Sequence, residues 1–190
     1  GNASALDKEV WDEFNADWES LAMECFALRA QLSTPSTDEL SFLSNEGGDV
    51  LEDYSGETRR VLTEQRIKQS FFRRAVLASY RGRCCMSGLS ETKLLIASHI
   101  VPWSKDKANR LNPSNGLCLS SIHDRAFDQG LITLSDDFTV VLSRAIRQST
   151  DRFVREAFID MQGRPISLRK RFMPTTEFIA RHRKEVFQEG

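Results

Sequence analysis

The stretch from Arg83 to Leu134 limits the possible folds of this chain more than any other. Two short apolar runs, Leu94-Leu95-Ile96-Ala97 and Leu117-Cys118-Leu119, flank a polar loop from Pro102 to Pro113. Apolar runs of this length, bounded by turn residues, read as strands. The first ends at Ser98-His99, and the second is entered through the turn Pro113-Ser114-Asn115-Gly116. Ser120 or Ser121 then caps a short helix carrying His123, Arg125, Phe127 and Asp128, and Gly130 stops it. Cys84 to Gly88, ahead of the first run, reads as a knuckle-like turn. The predicted unit is strand, long loop, strand, helix.

The chain has only three histidines, and two of them flank this unit. His99 ends a strand, His123 sits on the following helix, and Asn115 stands between them. Hydrolysis of a phosphodiester needs a base near neutral pH, for which imidazole is suited. It also needs a divalent cation to steady the phosphorane and the departing 3′-oxygen. A rigid frame must hold the two together. The two histidines can supply the first two needs, and an Asn that bonds backbone across the loop can supply the third.

The words "RCCMSGL", "ASHIVPW", "NRLNPSNGLCL" and "HDRAFDQGLITL" follow one another in that order. Together they resemble the HNH endonucleases of the ββα-metal superfamily, and most of all the bacterial restriction-type branch. The flanks "QSFFRRAVLASY" and "RFMPTTEFIARHR" are similar to that branch as well. The resemblance implies an α+β fold: a ββα-metal nuclease core with an N-terminal long helix, flanking helices, and a C-terminal β-hairpin plus helix. It implies His99 as general base, Asn115 as the residue that pins the loop, and His123 as a metal ligand. Ser98 occupies a position that is Asp or His in many HNH enzymes and binds metal there. Asp128 could contribute to the cation directly or through water, whereas Asp124 reads as solvent-facing. The implied cofactor is Mg²⁺, with Mn²⁺, Zn²⁺ or Ni²⁺ as alternatives, and the implied partner is DNA. Relatives commonly carry sequence before the point where this chain starts, which implies a fragment.

Outside this core, residues 5–32 read as one helix capped by Ser4. Its apolar stripe runs Trp11, Phe14, Trp18, Leu21, Cys25, Leu28 and Leu32. The expected domains are this segment (1–32), an acidic linker (33–57) and the nuclease domain (58–190, motif core 83–134). The stripe is expected to dock on a partner or form a homodimer. Residues 33–57 hold seven acids and no Lys or Arg. Arg59–Ile67 reads as a strand or an arm, and Ser70 as the cap of a helix from Phe71 to Tyr80. A hairpin is expected over Leu131–Leu134 and Phe138–Leu142, a helix over 151–161, a short strand at Ile166-Ser167-Leu168, and a last helix after Thr175 or Thr176. His182, on that helix, reads as exposed.

Net charge is −1, but its distribution is uneven. From Arg59 to Arg83 eight basic residues face one acid, Glu64. Arg73, Arg74, Arg81 and Arg83 are therefore candidate phosphate contacts, with Lys105 and Arg125 nearer the motif. No apolar run reaches membrane-spanning length. The four cysteines match no secreted disulfide framework, so a cytoplasmic setting is expected. A zinc ribbon is not expected, because each arm lacks a ligand: Cys84 is followed by Ser87, and Cys118 by Ser121. Two other functions fit the same words: a nonspecific nuclease effector, and a catalytically weak DNA-binding or assembly module.

Overall fold

The computed structural model describes residues 8, 11–12, 15–32, 56–169 and 171–190. Its contacts divide the chain into two units, residues 1–71 and 72–190.

In the first unit, helix α1 (Trp18–Leu32) opens at Asp17. The Asp17 carboxylate accepts hydrogen bonds from the backbone N–H of Ser20 at 3.0 Å and of Glu19 at 3.1 Å. It also accepts the Ser20 hydroxyl at 2.7 Å. Residues 8, 11, 12, 15 and 16 are helical too, so the single helix expected over 5–32 is interrupted at Asp17. An Asp that captures nearby N–H groups competes with the helical ladder, which is the cause of the break. Ser4, Phe14 and residues 33–55 of the expected linker lie outside the described residues, and its last two positions, 56 and 57, are helical. Trp18 and Ala22 are buried, and the Trp18 ring lies 6.3 Å from that of Phe71. Glu19 pairs with Lys68 at 2.7 Å. The far end of the stripe, Cys25, Leu28 and Leu32, is exposed.

Helix α2 (Gly56–Ser79) replaces the strand or arm expected over Arg59–Ile67. No Gly or Pro interrupts residues 57–81, and Arg, Glu, Gln and Lys propagate helix well. Ser70 therefore lies inside the helix instead of capping it. Phe72, Val76 and Tyr80 follow one another at four-residue spacing and are buried.

The second unit is α+β. Strands β1 (Leu95–His99) and β2 (Gly116–Ser120) pair antiparallel, with Leu95 opposite Ser120 and His99 opposite Gly116. Helix α3 (Ser121–Asp128) follows at once, because the Ser120 side chain accepts the His123 N–H and caps it. Gly130, at φ +67°, turns the chain out of α3, and any side chain there would meet the Val186 carbonyl. β3 (Ile132–Leu134) and β4 (Val140–Leu142) form the expected hairpin. Short helices α4 (Arg144–Arg147) and α5 (Arg152–Phe158) and a final helix α6 (Thr176–Glu185) complete the unit. The strand expected at Ile166-Ser167-Leu168 reduces to one bridge, Thr139 to Pro165. Leu95, Leu117, Leu119, Phe127, Ile132 and Ile179 are wholly buried. Among the described residues no helix is long and apolar enough to cross a membrane.

His182 is buried, not exposed, because it shares the inner face of α6 with Ile179, one turn earlier. Its Nε2–H donates to the Phe127 carbonyl at 3.1 Å, and Thr133 Oγ1 lies 2.9 Å from Nδ1. Burial drives its pKa down to about 4, against a smaller upward pull from that carbonyl. The folded protein thus resists a proton that the unfolded chain accepts below about pH 6.5. Stability is full above that pH and falls as pH drops toward 4, where the loss reaches about 3 kcal/mol. Thermal melts of the wild type and His182→Gln between pH 7.5 and 4 check this. The variant should lose less stability over that range, and parallel curves would count against the assignment.

Candidate active site

Asn115 is wholly buried at the mouth of β2. Its Oδ1 accepts the Val101 N–H at 2.9 Å, and its Nδ2 donates to the carbonyls of Val101 at 3.1 Å and Asn109 at 3.3 Å. The side chain thus ties both ends of the long loop together.

His99 closes β1 and is half-buried. Its Nε2 lies 2.8 Å from the Arg110 carbonyl oxygen, which can only accept, so Nε2 carries the proton. Its imidazole lies flat on the Phe72 ring, with centroids 3.8 Å apart and planes 8° apart, and meets Trp103 edge-on at 5.6 Å. Burial lowers the His99 pKa, and the Arg110 carbonyl opposes this in part. All three histidines direct Nε2 at a backbone carbonyl: Arg110 for His99, Ala157 for His123 and Phe127 for His182. They differ at Nδ1. That of His123 meets Ser120, and that of His182 meets Thr133. Among the described residues, Nδ1 of His99 has no hydrogen-bond partner.

A cleft of about 480 Å³ lies beside His99, lined in part by Ser98, Trp103, Asp124, Asp128 and His182. Asp124 and Asp128 stand four residues apart on α3 and so share one helix face. Burial raises the Asp124 carboxyl, while Ser98 and Arg125 pull it down. Asp128 keeps an exposed surface, yet desolvation leads in raising it to about 6, with Asp124 adding to the rise and Arg125 opposing it. Ser98 Oγ is buried beside Asp124, close enough to lower it but without the geometry of a full hydrogen bond. Among the described residues no three His, Cys, Asp or Glu side chains cluster as a ready-made metal site. Two carboxylates and a free hydroxyl nevertheless fit a hard cation whose shell is completed by water and phosphate.

His123 is not brought to this cleft. Its ring is buried on the other face of α3, the face it shares with Phe127 one turn on. Nδ1 lies 2.7 Å from Ser120 Oγ and 3.7 Å from Cys84 Sγ, and Nε2 donates to the Ala157 carbonyl at 3.2 Å. Phe158 meets the ring edge-on at 5.4 Å. Burial raises the Cys84 thiol, but His123, the Ser87 hydroxyl and the Ser87 and Met86 amides outweigh it and bring it down to about 6. His123 thus bonds the knuckle, the start of α3 and α5 to one another, and no ring nitrogen is left for a cation in the cleft. Asp124, expected to face solvent, takes its place there. The four-residue spacing of Asp124 and Asp128, opposite an apolar Phe127, was the available signal.

The basic residues divide. Arg73 donates to the Leu95 carbonyl at 2.8 Å and so braces β1. Lys105 is paired with Glu185 at 3.1 Å. Arg83 reaches the Gly88 carbonyl at 3.4 Å. Arg74, Arg81 and Arg125 are exposed, and Arg81 sits at φ +54°.

Residues 84–135 match the model of a family described as HNH endonuclease. This stretch is thus similar to the HNH endonucleases, the class of phosphodiester hydrolase that the sequence words imply. No curated protein matches the chain. A solved structure titled "Modification dependent TagI restriction endonuclease" is similar at 21% identity, with a TM-score of 0.44. The similarity covers 60% of this chain and 37% of that one, so the chain spans little more than a third of that relative's length.

Proposed function

We propose that this chain is a divalent-metal-dependent DNA endonuclease in which His99 Nδ1 is the base. One observation carries the proposal: the cleft is lined by the one histidine whose Nδ1 has no partner among the described residues, by two carboxylate residues and by Ser98, whose buried hydroxyl is unbonded. Water in the cleft would lose a proton to Nδ1 as its oxygen adds to phosphorus. The P–O3′ bond then breaks and its electron pair leaves with the 3′-oxygen. The Arg110 carbonyl holds the tautomer that leaves Nδ1 basic, and favours the imidazolium that follows. Asn115 keeps that carbonyl's loop in place.

Asp124 and Asp128 would hold the cation, with the Ser98 hydroxyl beside Asp124. Mg²⁺ suits such an oxygen set, and Mn²⁺ can substitute. Zn²⁺ and Ni²⁺, which favour imidazole, fit it less well. Bound there, the ion supplies positive charge to the phosphorane and the departing oxygen. Arg125, one residue from Asp124, is the leading phosphate contact, with Arg74 and Arg81 as further candidates. The words shared with the restriction-type branch extend the proposal to host defence, marked by defined fragment ends instead of a smear. A partner on the exposed stripe of α1, a second copy included, belongs to the same proposal.

Calorimetric titration with Mn²⁺ tests the cation site. Asp124→Asn and Asp128→Asn should each weaken binding roughly 100-fold, the scale of one lost charge contact in a half-buried site. Wild-type binding should also weaken as pH falls through about 6, where Asp128 takes up a proton. Unchanged binding in both variants, with loss in His123→Ala, would return the ion to His123.

A further inference from the structure

We propose that Phe72, seated in the gap left by Gly116, is a positioning residue for His99. It sets the plane of the imidazole and so aims Nδ1 into the cleft. The inference rests on His99 being the base.

His99 and Gly116 face each other across β1 and β2. Residues directly opposite in an antiparallel pair carry their side chains on the same face of the sheet. A side chain at 116 would therefore stand beside the imidazole. Gly116 has none, and α2 uses the room. A methyl group on Gly116 would lie 2.5 Å from Val76 Cγ2, 2.9 Å from Phe72 Cζ and 3.2 Å from the Pro113 carbonyl oxygen. The backbone there is extended, with φ −131°, which any residue adopts. Space, not conformation, therefore demands glycine at this position.

Phe72, 2% exposed, fills that space and lies flat against His99 at 3.8 Å. The single bond from Nε2–H to Arg110 leaves the imidazole free to swing about the bond axis. A flat apolar ring against its face removes that freedom, and the edge of Trp103 bounds it on another side. Bond and stack together fix the direction of Nδ1. Neither Phe72 nor Gly116 touches the reacting atoms, so both act through His99.

The test uses Phe72→Met, which fills the gap without a ring, and Phe72→Leu, which carries the comparison if the Met variant does not fold. With ¹⁵N-histidine labelling, only three imidazoles contribute to the spectrum. Wild-type His99 should show one form, protonated at Nε2. In the variants the Nε2-protonated form should persist, held by the Arg110 carbonyl, while the His99 cross-peaks broaden as the ring swings. Single-turnover cleavage of plasmid DNA in Mg²⁺, per folded molecule, should fall ~10- to 100-fold, the cost of a misaimed catalytic group. DNA affinity should not change. Gly116→Ala should act in the same direction by displacing Phe72. A wild-type rate in Phe72→Met while His99→Ala is dead overturns this proposal alone. A slower rate with an unchanged imidazole spectrum overturns it too. Wild-type cutting by His99→Ala removes the base assignment, and this proposal with it.

Discussion

Replacing His99 with alanine is expected to slow DNA cleavage by ~10²- to 10⁴-fold, the range that general base catalysis supplies. The loss should fall on the chemical step, because the role proposed for His99 is to receive a proton from water and not to hold the cation. Mn²⁺ affinity should therefore stay within a few-fold of wild type. The melting temperature should change little, since the ring is half-buried and makes one hydrogen bond. Single-turnover rates, calorimetry and a thermal melt on the same preparation separate these effects. Cleavage within a few-fold of wild type would remove His99 from the chemistry.

Replacing His123 with alanine should instead destabilise the fold by about 3 kcal/mol, because it opens a cavity and strands buried polar partners. Ser120 Oγ, Cys84 Sγ and the Ala157 carbonyl all lose a contact. In a chain of this size that loss lowers the melting temperature by roughly 6 to 12 °C. The folded fraction should keep its Mn²⁺ affinity. An unchanged melt together with lost Mn²⁺ binding would make His123 a ligand after all.

These two histidines show what the sequence could and could not convey. The apolar runs around Ile96 and Cys118, the Ser120 cap and the stop at Gly130 are local signals, and the ββα order was legible from them. The buried bonds of Asn115 likewise match a residue that must span a loop. Which way a helical side chain points depends on its neighbours one turn away, and that decided between His123 and Asp124. His123 pairs with Phe127 and turns inward. Asp124 pairs with Asp128 and turns to the cleft. The burial of His182 follows from Ile179 by the same rule. Phe72 was legible as a core residue of its helix. Its place on His99 was not, because that contact joins segments 27 positions apart in sequence (99 − 72) through a gap at Gly116. The break at Asp17 came from a side chain competing with its own backbone, which apolar periodicity does not register.

The shared orientation of the three imidazoles has a chemical consequence. Each of them commits its Nε2 proton to a carbonyl, and two also have Nδ1 engaged. Among its imidazoles, the folded second unit therefore offers an acylating electrophile a single unengaged nitrogen. It is the atom proposed as the base, so one adduct there is expected to stop cleavage.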